Sequence, residues 1–125
     1  MADKLSNVVE RFIRYVKIDT QSQIGAPNPP STEKQRDLGN LLMKELEELG
    51  ACDIRMDDSG NVYGTVPANC DAKAPTIGYI AHMDTSPDVS GTNVQPRIVY
   101  NYDGKDLVLN EEKNIVMHTD VFEHM

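Results

Sequence analysis

An α/β architecture, with helices packed on a mixed β-sheet, is what this sequence predicts, and three observations predict it. Two segments carry apolar residues at helical spacing. Two short segments alternate in polarity about an acidic, glycine-containing turn. One run, Ile77-Gly78-Tyr79-Ile80-Ala81, is apolar almost throughout. A strand apolar on both faces belongs in the middle of a sheet covered by helices.

Leu5, Val8, Val9, Phe12, Ile13 and Val16 follow the i, i+3, i+4, i+7 series of a first helix, with Asp3 as the candidate N-cap. Lys4, Glu10, Arg11, Arg14 and Lys17 lie opposite, so burial of the apolar stripe in a core explains the pattern. Residues 19–30 are polar and proline-rich and read as a loop. Thr32-Glu33-Lys34-Gln35 has capping-box spacing just after Pro30. A second stripe follows at Leu38, Leu41, Leu42, Leu46 and Leu49, and Gly50 stands where a helix C′ glycine belongs. Gly39 inside that helix costs about 1 kcal/mol relative to alanine, which points to another backbone passing close by.

Cys52-Asp53-Ile54-Arg55-Met56 and Val62-Tyr63-Gly64-Thr65-Val66 flank Asp57-Asp58-Ser59-Gly60-Asn61 and read as a hairpin. A loop over 67–74 leads into the apolar run, the expected central strand. Beyond Asp88 the pattern turns irregular. Residues 96–100 are a candidate strand, Asn101-Tyr102-Asp103-Gly104 a turn, and 105–109 a partner for it. Residues 119–125 begin like a capped helix with an acidic first turn, too short to stand without more turns or packing.

At 125 residues the chain suits one domain with a modest core. Its formal net charge of -8 argues against nucleic-acid binding, which needs clustered Lys and Arg to neutralise phosphates. No apolar run approaches bilayer-spanning length, so no membrane partner is expected. The N-terminus lacks the apolar stretch of a secretory signal. Cys52 and Cys70 are too few and too far apart for a disulfide framework. They are expected as small, buried or half-buried thiols in a cytoplasmic protein.

Where the apolar run ends, His82 and Asp84 follow. Alternate residues of an extended segment share a side, so the two side chains are expected together. A metal-binding imidazole usually donates its second ring N–H to a carboxylate, and His-x-Asp can supply both parts. The alternative is a strand-end histidine beside a solvated aspartate that caps the loop. Ligands in open α/β sheets collect beyond the carboxyl ends of the strands, which favours the first reading. His118, Asp120, Glu123 and His124 form a second concentration of ligand types, with a solvated face as the simpler explanation. Ser86 and Ser90 neighbour His82, but no Gly-x-Ser-x-Gly elbow surrounds them. Gly60, Gly64, Gly78 and Gly91 form no phosphate loop.

Four blocks carry a resemblance to a known family. They are Arg11-Phe12-Ile13-Arg14-Tyr15-Val16 with Asp19-Thr20-Gln21-Ser22; Pro30-Ser31-Thr32-Glu33; Thr65-Val66-Pro67-Ala68-Asn69; and His82-Met83-Asp84-Thr85-Ser86-Pro87-Asp88-Val89-Ser90-Gly91 with Asn93-Val94. Together they resemble the N-terminal portion of the peptidase T family, tripeptide aminopeptidases of the co-catalytic zinc peptidases. That superfamily also holds aminoacylases and some carboxypeptidases. His-x-Asp belongs to the superfamily, and the Asp-Thr-Ser-Pro-Asp extension is typical of peptidase T. The resemblance implies a partial zinc-peptidase catalytic domain over 1–125. His82 would be a ligand of one of two zinc ions, and Asp84 the catalytic aspartate that orients it. The substrate would be a small peptide and the compartment the cytoplasm. It also implies that the remaining ligands, the general-base glutamate, the lid domain and the C-terminal half lie outside this chain, so the chain alone is expected to be inactive. The competing expectation is a non-enzymatic, truncated peptidase-like interaction module that self-associates through surfaces left uncovered.

Overall fold

The computed structural model describes residues 6–71, 73–122 and 124. Helix α1 spans Asn7–Tyr15 and helix α2 Gln35–Glu48, followed by strands β1 (Cys52–Met56), β2 (Val62–Thr65), β3 (Leu107–Asn110) and β4 (Ile115–Met117). The strands form two separate antiparallel pairs, β1–β2 and β3–β4. The fold is mixed α/β. A continuous mixed sheet is not among the described residues.

Helix α2 and the hairpin form the packed unit. Leu38, only 7% exposed, is the buried hydrophobic residue of the described chain. Gly39 sits against the hairpin, where an added Cβ would stand 2.9 Å from Met56 Sδ and 3.4 Å from Val62 Cγ2. The close neighbours are thus hairpin side chains rather than a second backbone. At the helix end Gly50 takes φ +82°. Its N–H reaches the Glu47 carbonyl at 2.9 Å, and the Ala51 N–H reaches that of Leu46 at 3.0 Å. Those are the two bonds of a Schellman stop.

The capping box is put to another use. The Gln35 carboxamide does reach the Thr32 hydroxyl at 3.1 Å and that of Ser31 at 3.0 Å. Thr32, however, donates its own proton to the Gln21 carbonyl at 2.8 Å. The first turn closes with short-range backbone bonds instead, Gln35 to Thr32, Arg36 to Glu33 and Asp37 to Lys34. The hairpin turn is built on Asp57. Its carboxylate accepts from the Asn61 backbone at 2.9 Å, the Asn61 side chain at 3.1 Å and the Tyr63 hydroxyl at 3.1 Å. Led by the Asn61 side chain, these donors hold its pKa below the ordinary carboxylate value. Arg36 of α2 donates to the carbonyls of Asp57 and Asp58, fastening helix to turn.

Helix α1 departs from expectation. Ser6 is its N-cap, accepting from the Val9 N–H at 3.4 Å, while Asp3 lies outside the described residues. None of its residues is buried, and Val8 and Phe12 stand largely in solvent. The helix is held instead by a polar cluster on Glu45, a buried residue of α2. Arg11 lies 3.2 Å from that carboxylate, Arg14 donates to it through Nε at 3.0 Å, and the Tyr15 hydroxyl donates to its other oxygen. Burial pushes the Glu45 carboxyl up, but Tyr15, Arg14 and Arg11 outweigh it and hold the group below its ordinary value. The expectation of a stripe buried in a core is therefore corrected. Arginines assigned to the outer face make the contact, because α2 presents a charge at position 45 rather than a leucine.

The run 77–81 forms no strand and joins no sheet, with Tyr79 93% and Ile80 101% exposed. A strand needs neighbours to accept its backbone bonds, and no described segment pairs with this run. Residues 96–100 likewise form no strand, and β3 pairs with β4 rather than with them. The last described residues make one turn, with the Phe122 N–H on the His118 carbonyl at 3.1 Å. Both cysteines are exposed and unpaired, not buried as expected.

Candidate active site

The side chains of His82 and Asp84 do meet, as the two-residue period of extended chain predicts. His82 Nδ1 lies 3.2 Å from Asp84 Oδ1. With Nδ1 protonated the imidazole donates to the carboxylate and leaves Nε2 free to bind. Both groups are open to water, at 85% and 44% side-chain exposure. His82 is among the residues lining a groove of about 800 Å³, with Phe12, Val16, Leu38 and Leu42 of the helical part of the chain and Met83 and Val89 of its own segment.

The segment after the pair is moored to residues 19–22. Thr85 and Gln21 form an isolated parallel bridge. The Thr85 N–H donates to the Thr20 carbonyl at 3.2 Å, and the Ser22 N–H donates to the Thr85 carbonyl at 2.9 Å. The Gln21 carboxamide donates to the carbonyls of Pro87 at 3.1 Å and Val89 at 2.9 Å. Asp19 closes the arrangement. It pairs with Lys34 at 2.8 Å, accepts the Gln21 N–H at 3.0 Å and takes the Thr92 hydroxyl at 2.8 Å. Lys34 first, then Gln21 and Thr92, lower its pKa to about 2. Gly91 permits the approach, since a Cβ there would lie 3.0 Å from Asp19 Oδ1.

Over 118 residues the chain is 56% identical to the peptidase T of Halothermothrix orenii and 50% identical to that of Clostridium botulinum. It is also 57% identical over 113 residues to the peptidase T of Desulfitobacterium hafniense. The chain is a relative of peptidase T. The matches cover 94% or 90% of this chain and 29% or 27% of the relatives, so it spans less than a third of their length. No family model matches it.

Three of the four blocks that resemble peptidase T meet in space. The 19–22 block binds the 82–91 block as described. The block at 30–33 joins them through Thr32 on the Gln21 carbonyl and through Ser31, which accepts from the Gln23 N–H at 3.1 Å. Sequence reasoning read 19–30 as a plain loop and missed Asp19, Gln21, Lys34 and Thr92 as a unit. The resemblance of the blocks covers Asp19 and Gln21 but neither Lys34 nor Thr92, and the spacing of the four follows no helical or strand period.

The donor set fits part of a zinc site. An imidazole with a carboxylate on its other nitrogen is a sound ligand, but a catalytic zinc takes three protein ligands. Among the described residues no group of three or more His, Cys, Asp or Glu side chains is placed to hold a metal. The terminal cluster does not gather either. His118 Nδ1 lies 2.6 Å from Asp106 Oδ2, the His124 ring packs edge-on near Phe122 at 6.5 Å, and Glu123 is outside the described residues. Ser86 and Ser90 shape turns, with Ser86 donating to Asp88 at 2.5 Å and Ser90 accepting from the Thr92 N–H at 3.2 Å.

Proposed function

We propose that this chain is the N-terminal part of the catalytic domain of a zinc-dependent tripeptide aminopeptidase. In this reading His82 is a ligand to one of two zinc ions, and Asp84 is the catalytic aspartate that fixes the imidazole tautomer and raises its basicity. The observation that carries it is the His82–Asp84 contact, which uses Nδ1 and leaves Nε2 for a metal in a side chain that lines a groove. It stands in a chain half identical or more to peptidase T. A bound pair of zinc ions supplies an activated water and a Lewis acid for the scissile carbonyl. Among the described residues no third ligand group joins His82 and Asp84, and in this reading the 125-residue chain alone is inactive. A cytoplasmic setting belongs to the same reading, supported by two exposed cysteines that stay unpaired.

The test is made in the complete enzyme. His82→Ala is expected to lower zinc content. Asp84→Ala is expected to keep part of the zinc and lose most turnover. Near-normal rates in either variant contradict the assigned roles. Tripeptide cleavage by the purified 125-residue chain, abolished by a chelator, overturns its inactivity.

A second reading is favoured by the exposed run at Ile77, Tyr79 and Ile80. An unpaired apolar strand is a template for association, and a peptidase-like module could use it to bind a second copy. A monomer by sedimentation, or a reading frame that continues past Met125 into the missing ligands, removes that reading.

A further inference from the structure

We infer that Gln21 is a positioning residue for the His82–Asp84 pair and acts through the segment 85–89; the inference rests on the peptidase reading above. The pair has unequal support on its two sides. Before it, residues 75–81 join no sheet. After it, Thr85 is bound on both its N–H and its carbonyl by Thr20 and Ser22, and the Ser22 hydroxyl adds a second donor to that carbonyl at 2.9 Å. Backbone bonds to 20–22 anchor only the first residue of the segment. The next two anchors, at the Pro87 and Val89 carbonyls, both come from one carboxamide nitrogen of Gln21.

A carboxamide nitrogen carries two protons on one atom and no charge, which suits two carbonyls converging on one point. Glutamate has the same shape but only accepts, so it would face both carbonyls with like polarity. Methionine matches the length and offers no proton. Gln21 is itself held, its N–H on Asp19 Oδ1 and its carbonyl under the Thr32 hydroxyl. It is not hydrogen-bonded to His82 or Asp84. Its effect on them passes through the backbone that leaves Asp84, where a displacement of about 1 Å is enough to cost on the order of 100-fold in rate.

The experiment compares Gln21→Glu and Gln21→Met with His82→Ala in the complete zinc-loaded enzyme. It also follows the His82 imidazole by NMR in the 125-residue chain. The expected result for both Gln21 variants is a kcat about 10- to 100-fold lower, with KM and zinc content near those of the unaltered enzyme. The His82 ring signals should shift while the Gly39 amide stays in place, a pattern that a general loss of structure would not give. Unaltered kcat or unmoved His82 signals in the Gln21 variants, with His82→Ala inactive, overturn the positioning role and leave the peptidase reading standing. A fully active His82→Ala overturns both. Should the Gln21 variants fold poorly, Thr32→Val removes the hydroxyl bond that holds the Gln21 carbonyl and leaves the Gln21 side chain unaltered. A severalfold fall in kcat with shifted His82 signals then supports the inference, and unaltered kcat and His82 signals overturn it.

Discussion

Helix α2 with the β1–β2 hairpin, and the run 77–81, are both strongly patterned in sequence, yet the first is packed and the second stands in solvent. The hairpin brings its own partner strand, joined by a turn that Asp57 organises within five residues, and α2 lies directly before it. Each contact needs only a short loop to close, so loop entropy is small. A strand destined for the middle of a sheet has no such local partner, and its apolar faces are covered only by segments distant in sequence. Patterning reports which side chains want burial. It does not report whether anything is there to bury them.

The largest expected difference between the two regions is in amide exchange. The α2 amides from Gly39 to Leu46 should exchange at least about 100-fold more slowly than those of 77–81, as about 3 kcal/mol of extra opening free energy implies. Equal rates would erase the contrast. Next, Glu45→Ala should destabilise the folded unit by about 2 kcal/mol and free α1. The effect falls short of a fully buried pair because Arg11 and Arg14 keep partial access to water. Denaturant titration measures it, and exchange at α1 shows whether the helix was held there. Gly39→Val should cost about 2 kcal/mol by overpacking Met56 and Val62, whereas Ile80→Ser should stay within about 0.5 kcal/mol. A large cost at Ile80 would mean that the run is packed after all.

The smallest change concerns Asp19 and is confined to its loop. Its folded pKa lies below the unfolded value, so its contribution is fully present above the ordinary carboxylate range. It is lost as pH falls through that range toward about 2. Amide signals of Thr85 and Thr92 should move across that window, and Asp19→Asn should abolish the movement.

Much of this was legible in the residues. The stop at Gly50, the hairpin and the meeting of His82 with Asp84 follow from local rules of helix ends, turn residues and the two-residue strand period. Three things were not legible. Glu45 occupies a place in the α2 stripe between Leu42 and Leu49, and that misplaced charge was the available sign that α1 would dock through arginines. Thr32 has the spacing of a cap, but a carbonyl from residue 21 competes for its hydroxyl, and only the fold reveals the competitor. The mooring of 85–92 to 19–22 joins segments more than 60 residues apart through one isolated backbone bridge and single side chains, which leaves no periodic trace.

Arg36 carries one last consequence. Its guanidinium spans the carbonyls of Asp57 and Asp58, so the corner between the strands has a set width as well as a set number of residues. An insertion there would have to unplug that fork before it could be accommodated. Of the chain's surface corners, this one should resist lengthening.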